Sequence, residues 1–187
     1  MPTLNPTVLT TERLRLRWFR EDDAAANFAV FSDPEVTRYW SREPWTGLGQ
    51  SVQMIASTMA NYADGSGLRF AIEPLAGGDI VGNVSLFHFV DDSRRCDIGY
   101  ALASRYWGQG YASEALRAVI DYGFRELALN RIEADVDPAN AASRRVLEKL
   151  GFREEGYMPE RWIVHGEPAD TVNYGLLKRY WDARDTA

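Results

Sequence analysis

The sequence has one cysteine in 187 residues, which excludes an intramolecular disulfide and any cysteine-based zinc pattern. A reducing compartment is the default for such a chain. Histidine is almost as scarce. His88 and His165 have no partner at a recognisable metal or triad spacing, so neither is assigned a catalytic role and no metal is expected. No apolar run approaches the roughly 18 residues that suggest a membrane span. Residues 1–20 open with polar turn residues and then alternate Leu with Arg, unlike a secretory leader. These absences make a cytoplasmic protein with no membrane partner the expectation. Basic excess is missing too: the net charge of −6 argues against direct nucleic-acid binding, which needs a basic face. An acidic balance suits a cationic substrate, but it mostly marks ordinary solubility.

The 45% hydrophobic content can build a core without staples, and a chain this long buries roughly 70% of its unfolded surface. There are no repeats, linkers or low-complexity stretches, so one domain over 1–187 is expected.

Residues 11–19 alternate Leu14, Leu16 and Trp18 with Arg13, Arg15 and Arg17, a period of two that predicts a strand. Glu21, Asp22 and Asp23 place acids where a helix N-terminus favours them, ahead of an alanine-rich helix. Asp33-Pro34 ends that helix, and Pro34 starts a short second one. Residues 40–49 read as a loop, and residues 50–62 return to helical spacing through Val52, Ile55, Met59 and Tyr62. Strands are predicted over 68–73, 80–89, 95–103 and 131–136, and two more in the tail around a turn at His165-Gly166. Helices are predicted over 110–127 and 140–150. Helices among antiparallel strands, then a strand-helix-strand unit, then a hairpin, describe a mixed α/β sheet.

The most informative segment is Arg105-Tyr-Trp-Gly108-Gln-Gly110-Tyr111-Ala112, between a strand and a helix with the apolar face Ala112, Ala115, Leu116, Val119 and Ile120. Glycines let the backbone turn tightly and bring its N–H groups near an anion. A helix N-terminus adds unpaired donors and partial positive charge, so a pyrophosphate fits without a basic side chain, although Arg105 is placed to help. Two glycines alone are weak evidence, since turn glycines between strand and helix are common. A dinucleotide fingerprint competes, with Gly108 and Gly110 in place and Glu133 downstream. Its third glycine, however, is Ser113, Glu133 falls inside its strand, and the preceding strands read as antiparallel. A Walker phosphate loop is excluded, because Gly-Lys-Ser/Thr is absent.

With this loop stands the run Asn140-Ala-Ala-Ser143-Arg-Arg-Val-Leu147-Glu-Lys-Leu-Gly151-Phe152. Together they resemble the GNAT superfamily of N-acetyltransferases, whose coenzyme A loop reads Arg/Gln-x-x-Gly-x-Gly/Ala. Thr11-Glu12-Arg13-Leu14-Arg15-Leu16-Arg17 and Asp97-Ile98-Gly99-Tyr100 look like the branch of the ribosomal-protein acetyltransferases RimJ and RimL. The resemblance covers nearly the whole chain, with three motifs in order. It implies a mostly antiparallel sheet of six or seven strands, flanked by helices and splayed between the Asp97 and Arg131 strands. It also implies acetyl-coenzyme A as co-substrate, with pantetheine in the splay and backbone N–H groups of Gln109, Gly110, Tyr111 and Ala112 holding the phosphates. Asn140 would reach the pantetheine, and as a residue type it also suits an N-cap.

Direct attack of an amine on a thioester needs a proton acceptor, an oxyanion donor and a proton for the leaving thiolate. Asp97 matches the position where well-studied members carry a catalytic Glu, and its shorter side chain implies a water relay. A solvated strand carboxylate is the plainer account of Asp97, and Glu133 and Asp135 on the facing strand are alternative bases. Many relatives place a Tyr seven residues after the Asn, but that position is Leu147, which cannot protonate a thiolate. The Rim branch has a Ser three residues after the Asn, which matches Ser143. Tyr39, Trp40 and Trp45 are candidates for a substrate wall, against the plainer role of capping the core. Trp107 is expected under the glycine loop and Cys96 in the core. The expected partner is a primary amine, either a protein or peptide N-terminus or a small molecule. A non-catalytic acyl-coenzyme A sensor is the rival. Many relatives dimerise, which adds a homodimer to the expected partners, although no segment marks an interface.

Overall fold

The computed structural model describes residues 4–184, so the expected span 1–187 extends three residues beyond it at each end. The strands are β1 (Leu9–Thr10), β2 (Leu14–Trp18), β3 (Gly67–Pro74), β4 (Gly82–Val90), β5 (Arg95–Leu102), β6 (Arg131–Val136), β7 (Arg153–Val164) and β8 (Glu167–Leu177). The helices are α1 (Ala24–Phe31), α2 (Pro34–Thr37), α3 (Leu48–Asp64), α4 (Tyr111–Arg125), α5 (Ala141–Lys149) and α6 (Lys178–Asp182). The strands form one sheet in the order β1-β2-β3-β4-β5-β6-β8-β7. Eight strands replace the six or seven expected, because two-residue β1 is too short to show an alternation.

The strand expected from residue 11 begins at Leu14 instead. Thr11 closes a turn with its N–H on the Leu14 carbonyl (2.9 Å), so residues 11–13 are not extended partners in the ladder. Alternation in β2 puts Leu14 and Leu16 at zero exposure, as their apolarity dictates. Arg17 is also buried. Its guanidinium makes a two-pronged pair with Asp23 (2.8 and 2.7 Å), which fixes the path from β2 into the 3-10 turn Glu21–Asp23.

Every neighbouring pair is antiparallel except β5 and β6. Parallel strands need a crossover, and α4 supplies it. On one face α4 buries Ala115, Leu116, Val119, Ile120 and Phe124 with Leu86, Cys96, Ile132 and Leu147. Cys96 sits in this core, where burial pushes its thiol up. The opposite face carries α1–α3. There Val30, Phe31 and Val36 pack on Ala101 and Ala103 of the β5 end, with Trp40 and Trp45 against them.

The feature that positions the site is where β5 and β6 part. They pair at Arg95 with Arg131, Cys96 with Ile132 and Asp97 with Glu133, and no further. Beyond Asp97, β5 stays bound to β4 as far as Leu102, while β6 follows β8 as far as Val136. The sheet therefore opens at Asp97, leaving a free β5 edge. The β7–β8 hairpin turns at His165 (φ 51°) and Gly166 (φ 84°), the two positive-φ residues of a type I′ connection.

Candidate active site

The opening is the mouth of a cleft of about 1070 Å³. Its lining runs from Tyr39, Trp40 and Trp45 past Asp97 to Asn140 and Ser143. Alternation along β5 places Asp97, Gly99 and Ala101 on the α1–α3 face, and Cys96, Ile98 and Tyr100 on the α4–α5 face. The cleft thus joins both faces of the sheet through the gap.

On the first face Asp97 has a partner the sequence did not show. The Nδ1 of His88 lies 2.9 Å from the Asp97 carboxylate. His88 sits at a β-bulge between Phe87 and Val90, with φ at 52°, in the left-handed region that a non-glycine residue rarely adopts. Regular alternation would send His88 to the face opposite Phe87, and the bulge turns it back toward Asp97. The imidazole is 74% exposed and the carboxylate 29%. The alternative carboxylates are engaged. Glu133 receives Arg95 (2.8 Å) and Arg131 (2.6 Å) on its two oxygens. Asp135 receives the Trp162 indole N–H (2.7 Å). Both already accept hydrogen bonds from neighbouring side chains.

On the second face the hydroxyls of Tyr100 and Ser143 lie 2.7 Å apart. Burial pushes the Tyr100 phenol up to about 12, only partly opposed by its hydrogen bond to Ser143, so it stays protonated at neutral pH. Leu147 is fully buried in the core. The phenol beside Ser143 belongs to Tyr100 of the facing strand. Asn140 caps α5, its side chain accepting the Ser143 N–H (3.1 Å), and it also lines the cleft.

Arg105, Gly108, Gln109, Gly110, Tyr111 and Ala112 lie outside the cleft lining, at the solvent-facing start of α4. Gly108 (φ 73°) and Gly110 (φ 83°) are both left-handed, which explains why glycine stands there. The Glu114 N–H makes the first helical bond, to the Gly110 carbonyl (3.0 Å). The N–H groups of Tyr111, Ala112 and Ser113 precede it and have no carbonyl within the helix, as an anion site requires. Arg13 braces the loop, donating to the Gln109 carbonyl (2.8 Å) and to Glu114 (2.7 Å). Glu114 also receives the Thr11 hydroxyl (2.6 Å). Trp107 departs from expectation: it is 47% exposed instead of packed beneath the loop, and its indole donates to the Leu102 carbonyl (2.7 Å).

Tyr39, Trp40 and Trp45 line the cleft wall, and the two tryptophans also contact Phe31, at ring-centroid distances of 5.3 and 4.7 Å. Lining the cleft and capping the core are the same placement seen from two sides. Among the described residues no helix is long and apolar enough to cross a membrane.

This geometry agrees with comparisons to known proteins. Residues 13–153 match the profile of the acetyltransferase (GNAT) domain. The chain belongs to the GNAT acetyltransferase family. It is 38% identical over 171 residues to the uncharacterised N-acetyltransferase YoaA of Bacillus subtilis, covering 91% of this chain and 97% of that one. The structure of Mycobacterium smegmatis RimJ in complex with CoA-disulfide superposes with a TM-score of 0.79 at 31% identity, covering 89% of this chain and 82% of that one. The spermidine N(1)-acetyltransferase of Escherichia coli is 27% identical over 168 residues, covering 90% of this chain and 88% of that one. This GNAT protein is therefore an N-acetyltransferase, of a family that uses acetyl-coenzyme A.

Proposed function

We propose that this GNAT protein transfers acetyl from acetyl-coenzyme A directly to the α-amine of a protein or peptide, within a ternary complex. The observation that carries the reading is the parted β5–β6 pair. It leaves a free strand edge between a hydroxyl pair on one face and a histidine–carboxylate pair on the other. The residues present fit the coenzyme. Two left-handed glycines expose the first N–H groups of α4 for phosphates, and the β5 edge beyond Asp97 offers backbone groups to pantetheine amides.

Bound acetyl-coenzyme A supplies an acetyl group already activated as a thioester. Asp97 orients the His88 imidazole, and the pair takes the proton that the acceptor amine must shed before it is nucleophilic. An α-amine, with a pKa of about 8, asks less of this base than a lysine at about 10.4. Ser143, hydrogen-bonded to the protonated Tyr100, faces the other end of the gap and donates to the departing sulfur. Glu133 holds Arg95 and Arg131 in place.

Likeness to the structure of a putative ribosomal-protein-serine acetyltransferase from Vibrio cholerae, 27% identical with a TM-score of 0.78, supports a protein acceptor. The spermidine acetyltransferase supports a second reading, a small amine. Thiol release from acetyl-coenzyme A, measured with matched peptides and polyamines, separates them. The proposal expects peptides to be turned over faster. Faster release with polyamines would replace the peptide reading, and binding without release to any amine would favour a sensor.

A further inference from the structure

Five arginines line the cleft: Arg42, Arg69, Arg95, Arg131 and Arg161. Arg95 and Arg131 are paired with Glu133, and Arg131 also with Glu155. Arg161 stacks over Trp162, 5.3 Å from the ring centre. Among the described residues no carboxylate pairs with Arg69 or Arg42. The Arg69 side chain is half-buried, and among the described residues its one side-chain acceptor is the Met54 sulfur at 2.7 Å. A thioether is a weak acceptor for a group with five N–H donors. Burial pushes this guanidinium below its ordinary range, and Arg42 adds to that against an opposing contribution from Tyr62. Two like charges thus line one cleft, in a chain whose net charge is −6. Glu43 and Asp97, which line the same cleft, are occupied by His165 and His88. The Arg69 donors that Met54 does not take are open to the cleft, where a ligand carboxylate can replace water as their acceptor.

We infer that Arg69 and Arg42 form a carboxylate-binding subsite in the acceptor half of the cleft, selecting an acceptor that carries an acidic group some distance from its amine. The inference rests on the transferase reading and deepens it. Arg69 lies on the α1–α3 face, paired through Ser85 to Gly99, two strands from β5 and one row along from Asp97. Strand spacing and rise put its Cα roughly 12 Å from that of Asp97. An extended peptide, at about 3.4 Å per residue, spans that distance between its α-amine and the side chain of its third residue. A planar guanidinium fork suits a carboxylate, and the same charge repels a polyamine.

The test uses three tetrapeptide amides with free α-amines that differ only at the third residue: Glu, Gln or Lys. Acetyl-coenzyme A binding is measured by calorimetry in the same preparations. The expected order of kcat/KM is Glu, then Gln, then Lys, with Glu about tenfold above Gln and the difference carried by KM. In Arg69→Met the Glu-to-Gln ratio collapses toward one while acetyl-coenzyme A still binds. Arg42→Gln, at an exposed position where folding is not at stake, lowers the same ratio. Equal rates for Glu and Gln, or a preference for Lys, would overturn the subsite. So would a protein that binds acetyl-coenzyme A, acetylates none of the three, and in its coenzyme A complex binds the Glu peptide no better than the Gln peptide. Failure to bind acetyl-coenzyme A would overturn the transferase reading and take this inference with it.

Discussion

The phenol of Tyr100 lies 2.7 Å from the hydroxyl of Ser143, although the two residues sit on different elements, a strand and a helix, 43 positions apart. The pair faces the gap from the α4–α5 side, where the proposed transfer puts the leaving thiolate. Ser143→Ala is expected to lower kcat about 10- to 100-fold while the KM for acetyl-coenzyme A changes little. Tyr100→Phe should have a smaller effect of the same kind. Because burial pushes the phenol up to about 12, its ionisation should leave no mark on the pH–rate profile below pH 10. An unchanged kcat in Ser143→Ala would remove the pair from the chemistry.

Asp97→Asn should reduce kcat by about 10²- to 10⁴-fold with coenzyme affinity retained, because it takes the carboxylate from the histidine. His88 adds a sharper test, since its φ of 52° is strained for any residue but glycine. His88→Gly is expected to raise stability by about 1 kcal/mol while lowering kcat. Thermal unfolding and steady-state rates measured together check this. A variant that is less stable, or one with full activity, would contradict a strained residue kept for proton transfer.

Gly110 begins α4 at φ 83°, and a Cβ there would lie 3.3 Å from the Arg13 guanidinium. Gly110→Ala would force an L-residue into the left-handed region at about 1–2 kcal/mol and press on the brace of the loop. The expected result is acetyl-coenzyme A affinity weakened about tenfold, read by calorimetry. Unaltered affinity would place the phosphates elsewhere.

Glu114 is pushed up by burial, but the Thr11 hydroxyl and the Arg13 N–H and guanidinium outweigh this and hold it below the usual glutamate range. A carboxylate depressed in the fold stabilises the native state at neutral pH. That contribution fades as pH falls below the unfolded value, about 4.3, and is lost through the lower folded value. Glu114→Gln should therefore cost about 1 kcal/mol at pH 7, and the gap from the parent protein should close at acid pH. A pH-independent gap would show that the charge is not what braces the loop.

Much of the fold was legible because its signals are local. The Leu–Arg alternation marked β2, the apolar spacing marked α4, and His165-Gly166 marked the hairpin turn. The glycines of the loop were legible as tight-turn positions because left-handed turns before a helix leave few choices of residue. The partners of the site were not. His88 reaches Asp97 only because a bulge reverses its face, and strict alternation pointed it the other way. Tyr100 shares its strand face with Cys96, which is expected in the core, and only the packing of α5 brings Ser143 to it. Arg13 meets Glu114 across 101 residues of chain, a distance no spacing rule covers. Trp107 read as buried because it is apolar, yet its indole finds the Leu102 carbonyl while the ring remains half in solvent.

The central claim is that the parted strands and the glycine cradle together hold acetyl-coenzyme A for transfer. Calorimetric titration with acetyl-coenzyme A, with free coenzyme A and dephospho-coenzyme A as controls, tests it most directly. The account predicts saturable one-to-one binding that Gly110→Ala weakens and Asp97→Asn does not. Absence of binding, or binding that Gly110→Ala leaves untouched, would contradict it.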